Sequence, residues 1–542
     1  MKSLPAVLTN ILPALKPVIS VVSKKLSLFT LWLIFSGALI YNAQNKDWFK
    51  DHRLIKDDVQ NYYVYSAAWV VYQTYDLEKA YIKIPSDTKR YLWLERHPVS
   101  GKLFSKMSMG MAVVYTPFIL FSHYILAPLM SYPADGYSPP YKIGLLISAL
   151  IFFLIGLWQL RKILLEHFNE NITALTLIIV AFGTNITWYV SSEATMSHIY
   201  SFALVLVFYR IIKKWFDNPG WLLTIAAGLI FGLIVLIRPT NIMFMVLFFT
   251  GAPLVSRFSF LLQNYYRLLV MVAAFLLVWA PQLLFWKWVS GSWFHYTYGE
   301  EGFFWNNPQI ISSLISYRKG WLVYTPLMTL VFIGLPLLWF KYRNLFWQVL
   351  TVLVLTTYIN SSWWCWWFGG SYGNRSYIDS YGIFALTIAA VFQAIAGFKK
   401  IWLNVTGIVV LAAFVMLNLF QTWQYRMGLI HYMSTTKEAY WINFFHTEVQ
   451  PNYYESLILP KHKYGVKGIF YSDFEVTEPE KKEWIYRVSK NRETLIEYYK
   501  NMATTDVKLR TKIEKEKLLN SADSVYTVWA EERFNEILKR FN

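Results

Sequence analysis

The sequence predicts an all-α polytopic membrane protein, and three observations predict it. The chain of 542 residues is 56% hydrophobic and 19% aromatic, and only 15% of it is charged, against about 25% in a typical soluble domain. Apolar runs of roughly 20 residues, the length at which a helix crosses a hydrocarbon core of about 30 Å, recur along it. Lys and Arg gather at the ends of those runs, where they anchor spans beside anionic headgroups. A helix is the expected element because it satisfies its own backbone polar groups where no water reaches them.

In chain order the runs are 26–43, 141–160, 172–190, 196–209, 221–237, 242–255, 268–286, 321–340, 345–360, 377–398 and 401–423, about eleven spans by length. The first follows Lys24 and Lys25 and is read as an uncleaved helix, because so many spans come after it. A further run, 107–130, contains Pro117 and Pro128 and begins beside Ser105, Lys106 and Ser108. If it does not cross, Arg161, Lys162, Arg210, Lys213, Lys214, Arg257, Arg267, Lys341, Arg343, Lys399 and Lys400 share the side of the N-terminal lysines. The opposite short connections then carry only Lys142, Arg238, Lys287, Arg318, Lys319 and Arg375. The positive-inside rule therefore favours a juxtamembrane or re-entrant run, with the N-terminus cytoplasmic in a cell (inner) membrane.

This topology places the 44–106 loop, the 288–320 loop and the tail after Trp423 outside. It divides the chain into a transmembrane domain, 1–423, and a small extracytoplasmic C-terminal region, 424–542. From about 480 to 541 the tail reads as amphipathic helices, with Trp484, Ile485, Val488, Leu495, Ile496 and Tyr499 on one face.

The formal charge of +18 does not indicate nucleic acid, because the cations sit where lipid explains them. Cys365 is the single cysteine, so neither an intrachain disulfide nor a thiolate metal cluster is expected. His52, His97 and His295 lack ligand spacing, and no metal site or cofactor is predicted; carboxylates alone leave room for a weakly held divalent cation.

Three groups of residues carry candidate chemistry. Asp57 and Asp58 open a helix that runs through Tyr62 and Tyr63 in the first outer loop. On a helix they point about 100° apart, so only one acid can aim into a given pocket; the pair reads either as a simple N-cap or as a catalytic base, and one acid could do each job. Glu193 and His198 lie at the outer end between two spans, where ionisable groups either line a wet cavity or pair locally at the interface. Lys106, Arg238, Arg318, Lys319 and Arg375 form the basic group, suited to a phosphate or to headgroup anchoring. Trp363, Trp364, Trp366 and Trp367 precede Gly369 and Gly370 and read either as an interfacial belt or as a stacking surface.

Together these residues resemble the membrane-embedded glycosyltransferases of the C fold class (GT-C), which include protein O-mannosyltransferases and the aminoarabinose transferases acting on lipid A. The resemblance covers about 26–423. It rests on Asp58-Val59-Gln60-Asn61-Tyr62-Tyr63 beyond the first span, on Ser105-Lys106-Met107-Ser108-Met109-Gly110 as a diverged copy of a juxtamembrane segment, on Glu193 in the second outer loop, and on Gly369–Arg375 before a late span. It implies a GT-C-like bundle with outer juxtamembrane helices, and Asp58, or Asp57, as catalytic base with Glu193 as a second acid. It further implies a polyprenyl-phosphate-linked sugar donor held by Lys106, Arg375, Arg238 and Arg318, with Tyr62 and His198 at the substrate. The expected reaction is transfer to an envelope glycan, lipid or protein acceptor. A lipid-linked glycan polymerase or ligase is the nearer alternative, and a flippase or transporter the more distant one.

Overall fold

In a computed structural model, the residues described are 25–51, 53–398, 401–454, 456–458, 465–468, 496, 500, 527–532 and 534–535. His52, Lys399, Lys400 and the tail residues Trp484, Ile485, Val488, Leu495 and Tyr499 lie outside them. The chain forms two compact units, Met1–Ile315 with Lys319–Met433, and Ser316–Arg318 with Ser434–Asn542.

Among the described residues, the first unit is helical apart from connecting loops, one antiparallel hairpin, Leu94–Arg96 with Leu103–Ser105, and an isolated bridge between Phe303 and Trp363. Seven helices among the described residues are long and apolar enough to cross a membrane, and four shorter apolar helices accompany them. This makes it a multi-pass membrane protein, but the expected count of about eleven spans is not reached by length and composition. The reason is local: proline and glycine break several apolar runs into short pieces. The 242–255 run, for example, is a 3₁₀ helix, Pro239–Phe248, begun by a proline and ended at Thr250 and Gly251.

Two opposed ends are defined by polar clusters. At the end carrying Lys25, Arg161 pairs with Glu170 at 3.0 Å and donates to Ser27 Oγ at 2.7 Å. At the far end, Asn42 donates to Val190 O at 3.0 Å and Lys142 to Lys50 O at 3.0 Å. The helix from Gly110 to Leu129 has 20 residues, enough to cross, and its start packs against the far-end helix Asp57–Val70. Ser66 Oγ donates to Ala112 O at 3.0 Å, and after the helix Tyr72 OH donates to Asp135 O at 2.8 Å. His123 Nδ1 also meets Tyr141 OH, at the far end of Pro139–Leu165, at 2.7 Å.

Its beginning is fixed by a close approach. A Cβ on Gly110 would overlap the Ile237 backbone, so only glycine lets this helix butt against the end of Trp221–Ile237. Ser108 Oγ donates to Leu236 O at 2.5 Å and Met109 N to Gln282 Oε1 at 2.8 Å across the same junction. Lys106, just before it, and Arg238, just after Ile237, are thereby brought to one place. Gly110→Val is expected to cost about 1–3 kcal/mol by overpacking, read as a lower unfolding midpoint in detergent.

In the second unit, Thr436 caps the helix Lys437–Ile442 by accepting from Ala439 N, and its hydroxyl donates to Ser456 O at 2.8 Å. Ile458 N donates to Ser434 O at 3.1 Å, and the Tyr317 and Tyr440 rings meet at 5.1 Å.

Candidate active site

The far end of the first unit gathers acids and cations from six stretches of sequence. Asp57 takes a left-handed backbone, φ 48°, so the chain turns sharply at the helix start. Its carboxylate is 52% exposed beside Lys56, at 3.7 Å, whereas Asp58 is 15% exposed and turned inward. Arg375 donates to Asp58 Oδ2 at 2.8 Å. Neither acid is an N-cap: the cap position is Lys56, and no side chain closes the helix start.

Arg375 is delivered by the glycine loop before it. Gly369 and Gly373 have φ of 66° and 61°, the left-handed region that favours glycine. Asn374 then caps the 3₁₀ helix Arg375–Ser380 by accepting from Ser376 N. This short helix supplies two partners to the site, because Asp379 follows Arg375 by four residues. Asp379, only 1% exposed, meets Arg238 at 3.3 Å and His198 Nδ1 at 3.3 Å, and its Oδ2 accepts from Asn241 at 3.0 Å. Arg238 also meets His198 Nδ1 at 2.8 Å. A carboxylate this deep is costly unless ionic and hydrogen-bonding partners surround it, as they do here.

Lys106 pairs with Glu301 and lies 5.0 Å from the Tyr298 ring centroid. Thr297 Oγ1 donates to Lys106 O at 2.7 Å, and Trp364 N donates to Gly302 O at 2.9 Å. The 291–309 loop is thus pinned both to Lys106 and to the segment leading into the glycine loop, while Glu300 stays exposed.

Two tyrosines join these pairs into one cluster. The Tyr62 hydroxyl hydrogen-bonds Ser197 within electrostatic reach of Asp58, Arg375 and Arg238, and burial, followed by the Asp58 charge, pushes it up to about 12. Burial likewise raises Tyr298, which feels Tyr62, Asp58, Glu301 and Arg238.

Glu193, in the turn before Ser197–Asp217, is partly buried near Arg375, Lys56 and Asp58. Burial raises its carboxyl above the ordinary 4.5, with the Asp58 charge adding to the rise and Arg375 and Lys56 working against it. A group with a raised folded value contributes stability below its unfolded value and loses it as pH rises through the folded one. The wild-type unfolding midpoint is therefore expected to fall relative to that of Glu193→Gln as pH increases upward from about 4.5; parallel curves for the two proteins would contradict this.

The structure thus brings together Asp58, Glu193, Lys106, Arg238, Arg375, Tyr62 and His198. Asp57 points away from them. Arg318 belongs to the second unit, where its guanidinium donates to Ile458 O at 3.2 Å. His198 does not pair with Glu193 at an interface but is buried against Asp379. Trp364, Trp366 and Trp367 are buried within the protein rather than forming an interfacial belt, and Trp363 packs 4.7 Å from Phe303. His97 and His295, distant in sequence, meet with ring centroids 5.3 Å apart; among the described residues no group of three metal-binding side chains occurs. Asp379 is the residue that sequence reasoning missed, and its signal was an acid inside the apolar run 377–398.

No protein-family model matches the sequence, and no curated protein matches it. Two solved chains are similar to it in structure. One is the archaeal oligosaccharyltransferase AglB from Archaeoglobus fulgidus in complex with an inhibitory peptide and a dolichol-phosphate, at 11% identity and a TM-score of 0.42. The other is the Archaeoglobus fulgidus oligosaccharyltransferase in the apo form, at 12% identity and a TM-score of 0.43. The matches cover 79% and 84% of this chain but 60% and 61% of the others, so it spans less than two thirds of their length. At this degree of similarity, function is read from the far-end cluster itself.

Proposed function

We propose that the chain is an inverting glycosyltransferase that moves a sugar from a polyprenyl-phosphate carrier to a hydroxyl or amine acceptor at its far, extracytoplasmic end. This reading takes Gly110–Leu129 to lie along the surface and the Lys25 end to be cytoplasmic, as the distribution of Lys and Arg favours. The observation that supports the reading most is the pairing of one inward carboxylate, Asp58 on Arg375, with two cations, Lys106 and Arg238, held together by the Gly110 junction.

The donor already carries a leaving group, so the protein's tasks are alignment, deprotonation and charge stabilisation. The acceptor oxygen or nitrogen forms its bond to the anomeric carbon as the bond from that carbon to the phosphate oxygen breaks. The acceptor proton passes to Asp58, and the electron pair leaves on the lipid phosphate, whose charge Lys106 and Arg238 receive. Attack opposite the leaving phosphate inverts the anomeric centre. In this scheme Arg375 orients Asp58, Asp379 and His198 orient Arg238, and Glu301 holds Lys106 until phosphate replaces it. The charged groups line one end of the bundle rather than its midplane, which favours a transferase over a transporter.

The test supplies the purified full-length chain with a polyprenyl-phosphate lipid extract radiolabelled in its sugars, together with envelope acceptors. Expected are loss of the lipid-linked label, free polyprenyl phosphate, and a product of inverted anomeric configuration. Label that stays on lipid while moving between leaflets of a vesicle would instead establish a transporter.

A further inference from the structure

A second polar cleft lies at the Lys25 end, away from all of the chemistry above. It has a volume of about 480 Å³ and is lined by the end of Ser197–Asp217, the start of Leu254–Gln263 and the turn joining Thr329–Lys341 to Arg343–Ser362. Its charge is lopsided. Arg257, Lys341 and Arg343 line it, and none of them has a carboxylate within 4.0 Å among the described residues. Lys213 is paired with Glu166, and Asp217 is the one carboxylate in the lining. Unpaired cations gathered in a concave site are what a phosphate-bearing ligand needs.

Arg257 is held ready for such a ligand. Its guanidinium carbon lies 3.7 Å from the Phe216 ring centroid, and its Nε is buried without a hydrogen-bond partner. Gln348, whose Oε1 accepts from Tyr209 OH at 3.0 Å, presents its amide beside Gly251 in the same lining. A buried guanidinium nitrogen lacking an acceptor is a cost that a bound oxyanion removes.

The source of that anion is indicated by the helix bearing Arg257. Leu254, Val255, Phe258 and Leu262 are exposed along Leu254–Gln263, while Arg257 faces the cleft. An amphipathic helix of this kind lies in the membrane interface with its apolar face among acyl chains, which sets the cleft at headgroup depth. Basic pockets between spans at this depth hold anionic headgroups.

We infer that the cleft formed by Arg257, Lys341, Arg343 and Gln348 binds the phosphate headgroup of an anionic membrane lipid. It is independent of the transferase reading, since none of its residues belongs to the Asp58 cluster. The test compares short-chain phosphatidylglycerol with short-chain phosphatidylcholine on the detergent-purified full-length chain, following the unfolding midpoint and lipid adducts by native mass spectrometry. The glycerol lipid is expected to raise the midpoint and to form adducts that the choline lipid does not. Arg257→Gln combined with Arg343→Gln is expected to weaken that binding at least about tenfold. Equal effects of the two lipids, unchanged binding by the double variant, or an equal midpoint rise with inorganic phosphate alone would each overturn the inference. The lipid comparison on the wild type stands as a test even if the double variant does not fold.

Discussion

Asp58→Asn is expected to lower sugar transfer by about 10²–10⁴-fold, the range associated with loss of a positioned general base. Asp57→Asn is expected to leave transfer within about threefold, a change worth less than 1 kcal/mol. The contrast follows from one backbone turn. The left-handed φ at Asp57 sends its carboxylate toward solvent and the next one toward Arg375, and asparagine tolerates that conformation. In the Asp58→Asn variant the side-chain amide oxygen still accepts a hydrogen bond from Arg375 but takes no proton from an acceptor. Loss of the ion pair with Arg375 should lower the unfolding midpoint, while the protein that remains folded shows the collapse in rate. Equal losses in the two variants would remove the base assignment.

Asp379→Ala is expected to be the most destabilising single change at the site. Removing one member of a buried ion pair leaves an uncompensated charge, at a cost of about 3–5 kcal/mol, and here Arg238 and Asn241 both lose their acceptor. Thermal unfolding in detergent should show a clear fall in midpoint, with transfer reduced because Arg238 is no longer held toward the Tyr62 side. Asp379→Asn keeps a hydrogen-bond acceptor and is expected to recover part of the stability. If Asp379→Ala unfolds with the wild-type midpoint, the buried network is not what holds Arg238.

Much of this arrangement was legible in the sequence, for identifiable reasons. Apolar runs report membrane helices because lipid imposes a length and forbids exposed backbone. Asp58, Glu193, Lys106, Arg238 and Arg375 were visible because ionisable residues are rare in such a chain. Which acid faces inward was not legible: a helical wheel separates Asp57 from Asp58 but does not show the left-handed turn that orients both. Asp379 was hidden within an apolar run, since its partners, His198 and Arg238, are 181 and 141 positions away. The meeting of His97 with His295 likewise depends on a tertiary contact that no local pattern encodes.

The most direct measurement is a cryo-electron microscopy structure of the chain with a non-transferable polyprenyl-phosphate sugar analogue. The account predicts the phosphate against Lys106 and Arg238, Glu301 displaced from Lys106, and the anomeric carbon turned toward Asp58. Phosphate density at the Lys25 end alone, or a sugar with its anomeric carbon facing away from Asp58, would contradict it.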